Sequence, residues 1–268
     1  MISTDQITAV IPTHNRLFEL ERCIKSILPY VHEILVIDNN STEDIQSLEK
    51  KYDEVHVFSV GYNMGPCAAT NWGIELSETP YILLVDNDTE LLQWSWTYLD
   101  MDEDEAVQAF RIFGDKYFHM YSNQPDHPDW HQSLPWFYGC AVLINKKLWE
   151  EVGGYNESYF AYYQECDISA QFWKSGFYIS YNPSVIFAHH DSESERDHGK
   201  MAYWKTRNLL WFSFEHLPIV YAIFQNTKNI ASHPPYLEEV LSGIKDALKN
   251  MPKREPIKDQ FFLKVWRR

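Results

Sequence analysis

Short, largely apolar runs alternate with amphipathic segments through the first ninety residues of the chain. Four of these runs have the length and composition of buried strands, at residues 7–12, 33–38, 55–60 and 81–85. The segments between them predict helices; Ser41 and Asp44 suggest a capping box for the second helix, and Pro66 falls in the first turn of the third. Strand–helix alternation with short turns predicts an α/β fold whose mostly parallel sheet is flanked by helices.

A polar cluster follows each of the four predicted strands, at residues 13–16, 38–41, 61–65 and 86–88. Ligands of open α/β sheets bind beyond the carboxyl ends of the strands, so these clusters predict one shared site. No glycine-rich dinucleotide fingerprint follows the first strand, which argues against a dinucleotide cofactor.

The most informative cluster is Asp86-Asn87-Asp88, because it comes directly after the apolar residues 81–85. A carboxylate is costly to bury unless it is paired, hydrogen-bonded or bound to a metal. Two acids separated by one residue can share a divalent cation with the oxygens of a diphosphate. Ordinary turn chemistry is the alternative, since Asp and Asn are common turn residues.

The second half of the chain is less regular. Helices are predicted at 146–154 and 165–177, and residues 177–190 are strand-like. Residues 119–136, rich in Pro, Asp, His and Trp, suggest an ordered loop over the site. From Met201 the pattern becomes helical and aromatic. We therefore predict a catalytic domain at 1–200 and a C-terminal helical extension with a basic tail at 201–268.

The amino-acid composition indicates the class of protein and its cellular compartment. Hydrophobic residues make up 45% and charged residues 23% of the chain, as in ordinary globular proteins. Four widely separated cysteines without a CxxC pair favour reduced thiols in a cytosolic protein. We expect a cytoplasmic protein, because neither a secretory signal nor a transmembrane run of apolar residues is apparent.

The net charge of −15 is unevenly distributed. Residues 245–268 hold eight Lys or Arg against three acids, a net charge of +5, which leaves −20 on the remainder. A solvated terminal helix explains this basic tail; contact with phosphates of a lipid surface or a nucleic acid is the alternative. The acidic body argues against broad contact with nucleic acid. The aromatic stretch 203–224 is expected to pack against the sheet, with peripheral membrane contact as the alternative.

The ordered motifs resemble the family 2 glycosyltransferases of the GT-A fold, and most of all the rhamnosyltransferase-like bacterial members. The similar segments are IPTHNR, DNNS, GYNMGPCAATNWGI, LLVDND, VGGYNESYFAYYQECDI, PSVIFAHHDSES and the pair Arg207-Asn208. They span about residues 7–212 in the family's order. The resemblance implies a nucleotide-diphosphate sugar donor of the UDP or dTDP type and a Mn²⁺ or Mg²⁺ cofactor.

The resemblance also implies roles for single residues. Asp38 would read the base, Asp86 would face the ribose and the metal, and Asp88 with His189 would hold the metal, with His190 as the neighbouring alternative. The other nucleotide-binding residues that it implies are Pro12, Thr13, Asn15, Arg16, Asn40, Asn63, Gly65, Asn71 and Asn87. For Asn63 and Gly65, a tight turn is an equally good interpretation.

The family's Glu-Asp-x-Asp cluster reads Gln164-Glu165-Cys166-Asp167 in this chain. The resemblance therefore makes Glu165 and Asp167 the candidate catalytic residues, with Glu165 at the usual position of the general base and one methylene longer than Asp. On the residues alone, Asp167 could be a helix N-cap and Glu165 a solvated first-turn charge. Gln171 replaces the family's usual arginine, so nothing supports acceptor phosphate binding at that position.

The implied reaction is a direct displacement that inverts the anomeric carbon. A metal neutralises the leaving nucleoside diphosphate, and a carboxylate takes the proton from the acceptor hydroxyl. A glycan is the expected acceptor; hydroxymethylated DNA bases, as in phage-type glycosyltransferases, and proteins are alternatives. A catalytically weak sugar-nucleotide-binding protein and a nucleotidyltransferase are the competing classes, and residues 11–20 lack the basic, glycine-rich phosphate loop of the latter.

Overall fold

The computed structural model describes residues 2–96, 99–114, 134–190, 197–218 and 234–258. Within these residues, eight strands form one sheet: β1 (Ile7–Thr13), β2 (Glu33–Asp38), β3 (Val55–Ser59), β4 (Tyr81–Val85), β5 (Thr89–Gln93), β6 (Glu105–Phe113), β7 (Ala141–Asn145) and β8 (Tyr178–His189). The helices are α1 (Leu17–Ile27), α2 (Gly65–Leu76), α3 (Lys146–Val152), α4 (Gln164–Ser175), α5 (His198–His216) and α6 (Leu237–Lys249). The spatial order of the strands is β3-β2-β1-β4-β7-β6-β8-β5.

The first half of the sheet is parallel throughout. β1 lies between β2 and β4, and β3 extends the sheet beyond β2, all in parallel register. Its central strands are buried on both faces because α1 buries Leu20, Ile24 and Ile27 against one side and α2 covers the other. The predicted α/β fold is confirmed, and its first four strands are found within one residue of the predicted bounds.

The second half of the sheet is mixed, and β5, β6 and β7 were not predicted from the sequence. β7 runs antiparallel to β4 and β6, β6 runs parallel to β8, and β5 closes the edge antiparallel to β8. The hydropathy pattern does not reveal β6, because two of its buried residues, Glu105 and Gln108, are polar. Glu105 accepts hydrogen bonds from Ser180 and Tyr178 of β8.

The predicted capping box does not form. Residues Ile45–Lys50 make a 3₁₀-helix, and the side chain of Asp44 does not cap it. Ser41 contacts the residues after β1 instead: its hydroxyl oxygen accepts a hydrogen bond from the backbone N–H of Asn15 at 2.7 Å. Its own N–H donates to Asp38 Oδ1 at 2.9 Å. Ser41 therefore joins the ends of two strands rather than starting a helix.

α5 and α6 pack against each other at the end of the described chain. A Cβ atom at Gly243 of α6 would lie 2.7 Å from the carbonyl oxygen of Tyr203, which shows how closely the two helices approach. Arg254, part of the predicted basic tail, donates to the carbonyl oxygens of Phe214 and Leu217 at the end of α5. The domain boundary at residue 200 stays a prediction.

Three predicted features lie partly outside the described residues: 119–133 of the loop, 219–224 of the aromatic stretch and 259–268 of the basic tail. Within the described part of the chain, no helix combines the length and apolar character needed to cross a membrane.

Candidate functional site

The loops that follow β1, β2 and β4 are tied together by hydrogen bonds. Asn87 Nδ2 donates to Thr13 Oγ1 at 2.7 Å, joining the end of β4 to that of β1. Asn15 Oδ1 accepts from the backbone N–H of Thr42 at 2.7 Å, joining β1 to β2. Asn15 and Arg16 both adopt left-handed backbone conformations, with φ of 58° and 64°. The polar strand ends therefore meet at one edge, as the sequence predicts.

A cavity of about 260 Å³ opens at this edge. Of the predicted nucleotide-binding residues, it is lined by Pro12, Thr13, Arg16, Asn63 and Asn87, and residues that were not predicted, among them His14, Asn39 and Phe160, complete its wall.

The other predicted nucleotide-binding residues have supporting positions in the structure. Asp38 holds the loop after β2 through Ser41, and Asn40 bends that loop with a φ of 64°. Asn71 exchanges two hydrogen bonds with the backbone of Tyr155, at 2.8 and 2.9 Å, and so ties α2 to the segment before α4.

Position 65 requires glycine because of both its backbone conformation and its close neighbours. Its φ is +83°, and a Cβ atom there would lie 2.5 Å from the ring of Phe160. The ring of Phe160 thus rests directly on the start of α2, which allows it to form part of the cavity wall.

A larger cleft of about 930 Å³ adjoins this cavity and contains a carboxylate–imidazole cluster. His189 Nε2, at the end of β8, lies 3.5 Å from Asp86 Oδ2 and 3.4 Å from Asp88 Oδ1. The side chain of Asp86 is 52% exposed, whereas Asp88 is 5% exposed. His190 points away from this cluster and pairs with Glu90 at 2.9 Å. His189, rather than His190, is therefore the histidine that faces the two acids.

The residues of this cluster fit a divalent cation. Their potential ligand atoms all lie within 4.8 Å of one another. Carboxylate oxygens and an imidazole nitrogen are donors that Mn²⁺ and Mg²⁺ accept, and the exposed Asp86 leaves room for oxygens of a second ligand. Arg16 Nη1 lies 2.9 Å from Asp88 Oδ2, so a cationic side chain already contacts the site.

Glu165, in the first turn of α4, faces the same cleft. A Cβ atom at Gly139 would lie 3.1 Å from Glu165 Oε1, and Gln164 Nε2 donates to that oxygen at 2.9 Å. Loss of hydrating water raises the pKa of Glu165 to about 7, and the negative charge of Asp86 adds to the rise. A carboxylate with this pKa is suited to accept a proton near neutral pH.

Asp167, two residues further along α4, is turned into the protein core. Its Oδ1 lies 2.7 Å from His216 Nε2 and 3.2 Å from the hydroxyl of Tyr159. Glu215 completes a second cluster of two acids and one histidine. These contacts join the start of α4 to the end of α5, and the sequence contains no local signal that would have revealed them.

Aromatic residues without a predicted role line both spaces: Tyr162 and Tyr163 line the cleft, and Phe160 lines the smaller cavity. Phe160, Tyr162 and Tyr163 all have positive φ values, between 62° and 69°. Asn208 of α5 is fully buried, and its Nδ2 donates to the carbonyl oxygens of Tyr159, Ala161 and Tyr162 at 2.6 to 3.0 Å. Arg207 Nη2 also donates to the carbonyl oxygens of Ser158 and Tyr159, at 2.8 and 2.9 Å. The Arg207-Asn208 pair, visible in the sequence, therefore holds an unusual backbone at the entrance to the cleft.

A comparison with known protein families identifies the family of this chain. Residues 8–162 match the family model described as glycosyl transferase family 2. The chain belongs to glycosyl transferase family 2. The matched residues include β1 to β4 and the Asp86–Asp88 pair, and they end at Tyr162.

Curated relatives of this family 2 chain include two named transferases. One is a GalNAc(5)-diNAcBac-PP-undecaprenol beta-1,3-glucosyltransferase of Campylobacter jejuni, 31% identical over 117 residues, which are 41% of this chain and 37% of that protein. Another is an N-acetylglucosaminyl-diphospho-decaprenol L-rhamnosyltransferase of Mycobacterium tuberculosis, 32% identical over 59 residues, 22% of this chain and 19% of that protein. The chain thus matches little more than a third of the length of the first relative and about a fifth of the second.

Solved structures share the fold of this family 2 chain. GalNAc-T7 with UDP, GalNAc and Mn²⁺ aligns with a TM-score of 0.69 at 15% identity, over 91% of this chain and 55% of the other. The mannosyltransferase PcManGT of Pyrobaculum calidifontis, with GDP-Man and Mn²⁺, aligns with a TM-score of 0.60 at 14% identity, over 94% of this chain and 79% of the other. These glycosyltransferase neighbours confirm the GT-A fold implied by the resemblance.

Proposed function

We propose that the protein is a metal-dependent glycosyltransferase that moves a sugar from a nucleotide-diphosphate sugar to an acceptor hydroxyl with inversion. The observation that carries this proposal is the composition of one cleft. Its wall contains both the Asp86–Asp88–His189 cluster and Glu165, whose pKa is raised to about 7. A cation-binding group and a proton acceptor in one cleft are the two functions that sugar transfer to a hydroxyl requires.

The residues around the smaller cavity would bind the nucleotide. Thr13, Asn63 and Asn87 offer polar atoms along its wall, and Arg16 adds a positive charge at its boundary with the cleft. Asp38, at the end of β2, would accept the imide N–H of a uracil or thymine base. These features support a donor of the UDP or dTDP type.

Asp88 and His189 would hold Mn²⁺ or Mg²⁺, with Asp86 facing both the metal and the ribose. When bound, the metal neutralises negative charge on the departing diphosphate. Glu165 accepts the proton of the acceptor hydroxyl, and we prefer it to Asp167 because Asp167 is enclosed by Tyr159 and His216. Attack from the Glu165 side, opposite the diphosphate, inverts the anomeric carbon.

A glycan is the proposed acceptor. Trp136, Tyr138, Tyr162 and Tyr163 line the cleft near Glu165, and aromatic rings of this kind pack well against the apolar faces of sugars. The names of both relatives include a saccharide on a diphosphate-linked prenol, which also supports a glycan acceptor. We place the reaction in the cytoplasm, where nucleotide sugars are the donors.

The first test is thermal stability with UDP, GDP, dTDP and CDP, each with and without Mn²⁺. A ligand at about a hundred times its dissociation constant adds roughly 2.7 kcal/mol of stability, or about 5–10 °C in Tm for a chain of this size. We expect one nucleotide to raise Tm in a Mn²⁺-dependent manner. Stabilisation by none of the four would contradict the proposal. Stabilisation without turnover of any nucleotide sugar would instead favour a sugar-nucleotide-binding protein.

A further inference from the structure

The Arg16 guanidinium contacts a carboxylate that the proposed function assigns to the metal. Arg16 Nη1 and Asp88 Oδ2 are 2.9 Å apart, and the two side chains are only 18% and 5% exposed. Water screens a pair of this kind much less than it screens an exposed pair. The other oxygen of Asp88, Oδ1, faces His189 Nε2. Both oxygens of the predicted metal ligand are therefore in contact with other side chains of the protein.

The backbone at Arg16 has an unusual conformation, and hydrogen bonds of the preceding residue stabilise it. Arg16 occupies the N-cap position of α1 with φ 64° and ψ 46°, a left-handed conformation that residues other than glycine rarely adopt. The hydrogen bonds of Asn15 to Ser41 and Thr42 hold the preceding residue in place. The loop thus fixes the Cα atom of Arg16 at the edge of the site while its long side chain retains several rotatable bonds.

Arg16 also lines both the smaller cavity and the larger cleft. The proposed diphosphate connects a nucleoside in the first space with a sugar in the second. A guanidinium group at this boundary is suited to phosphate oxygens, which it can contact with two parallel N–H groups. Rotation of the side chain alone can therefore move its charge from Asp88 to a phosphate.

We propose that Arg16 is a tethered cation that occupies Asp88 in the free protein and transfers to the diphosphate when donor and metal bind. The inference rests on the proposed function and adds a coupling between its two ligands. A divalent cation arriving alone must compete with Arg16 for Asp88 and is repelled by its charge. A diphosphate removes that competition by pairing with the guanidinium. Metal and nucleotide therefore bind weakly when separate and strongly together, and each raises the affinity for the other by the same factor.

The test is a titration with Mn²⁺, in which electron paramagnetic resonance measures the free ion, without nucleotide and with saturating UDP or dTDP. The variants are Arg16→Gln, which removes the tethered cation, and Arg16→Lys, which keeps a charge without the planar fork. Arg22→Gln is the matched control: Arg22 lies on the same helix and contacts Glu90 at 3.7 Å, so this change removes the same charge near the site without touching Asp88.

Without nucleotide, we expect Arg16→Gln to bind Mn²⁺ about tenfold more tightly than the wild type, in line with the strength of charge-assisted hydrogen bonds. The Mn²⁺ affinity of Arg16→Lys should lie between those of the wild type and Arg16→Gln. Arg22→Gln should change this affinity by less than about twofold, because the charge it removes is screened. With nucleotide present, the advantage of Arg16→Gln should disappear. If Arg16→Gln does not fold, a gain in Mn²⁺ affinity by Arg16→Lys over the wild type carries the same support.

Three results would overturn the inference. Unchanged or weaker Mn²⁺ binding by both Arg16 variants would show that Arg16 does not compete for Asp88. An equal gain in Arg22→Gln would show a general effect of charge. If no variant binds Mn²⁺ with or without nucleotide, the metal-dependent part of the proposed function fails as well; Mn²⁺ binding by the wild type with unchanged variants would leave that function intact and remove only the role of Arg16.

Discussion

Two acid–histidine clusters occur among the residues that the structure describes, and they share the same residue types but differ in their surroundings. Asp86, Asp88 and His189 open into a cleft, with the side chain of Asp86 half exposed. The second cluster, Asp167, Glu215 and His216, lies between α4 and α5, where His216 is fully buried. Potential ligand atoms lie within 4.8 Å of one another in both.

Contacts to neighbouring side chains explain why we assign different roles to them. Asp167 Oδ1 accepts a hydrogen bond from the Tyr159 hydroxyl and lies 2.7 Å from His216 Nε2, so its contacts lie within the protein core. Asp86 and Asp88 lie 3.4 to 3.5 Å from His189, leaving space for a cation between them. Access from solvent, rather than residue type, distinguishes a candidate ligand site from a structural network.

The largest expected effect is that of Asp88→Asn, which removes one of the charged candidate ligands. We expect sugar transfer to fall by about a thousandfold or more, because a metal contributes several kcal/mol to the stabilisation of developing charge. The Mn²⁺-dependent increase in Tm with nucleotide should also disappear. Retention of both in Asp88→Asn would contradict the assignment of the cleft cluster.

Glu165→Gln should reduce transfer by about 10²- to 10⁴-fold, the usual contribution of general base catalysis. The pKa of Glu165 is raised to about 7, so the wild-type rate should increase as the pH rises through 7 and the carboxylate forms. In Glu165→Gln, this limb of the pH–rate profile should be absent, while nucleotide binding is retained. An unchanged profile would assign the proton transfer to another group.

Asp167→Asn should affect stability rather than metal binding. Loss of the charge-assisted contact with His216 is expected to cost about 1–3 kcal/mol, which lowers Tm by roughly 2–10 °C. The Mn²⁺-dependent shift with nucleotide should persist in this variant. If transfer instead falls a hundredfold while Tm hardly changes, Asp167 is the catalytic base and its role is not a structural one.

The smallest expected effect is the dependence of stability on pH caused by Glu165. Its folded pKa of about 7 exceeds the reference value of 4.5, so the folded protein retains a proton that the unfolded chain releases. This stabilisation is fully present below pH 4.5 and is lost as the pH rises through about 7. Glu165→Gln should therefore melt a few degrees above the wild type at pH 8, and the difference should shrink at pH 5. An equal difference at both pH values would contradict the raised pKa.

The parallel half of the fold was predictable because its strands are continuous apolar runs that end in polar residues. The mixed half was not, since β6 contains buried Glu105 and Gln108, and their hydrogen-bond partners lie more than seventy positions away on β8. Hydropathy cannot reveal a strand whose polar groups are satisfied by a distant part of the chain.

The candidate site divides in the same way. The spacing of Asp86 and Asp88 after an apolar strand indicated a cation site, and the resemblance added His189 and Glu165. The contacts of Arg16 with Asp88 and of Asp167 with His216 join residues that are 72 and 49 positions apart. No local pattern encodes such pairs, because they depend on which strand ends and helix ends the completed fold brings together.

The polar contacts between β6 and the first part of β8 fix the alignment of the two strands in that part. Asn182 Nδ2 donates to Gln108 Oε1 at 2.9 Å, and Ser180 donates to Glu105. A slip of one residue there would leave these buried groups without partners and turn the side chains of residues 178–182 to the opposite face. The pairing of β8 with β6 shifts register between Asn182 and Ile186, so the position of the strand's last residues depends on other contacts. β8 ends at His189, whose backbone is paired with Thr89 beside the cleft acids. The backbone N–H of His190 donates to the carbonyl oxygen of Asp88 at 2.9 Å. This local pairing with β5 and the residue before it therefore determines which of two adjacent imidazoles, His189 or His190, faces the carboxylates.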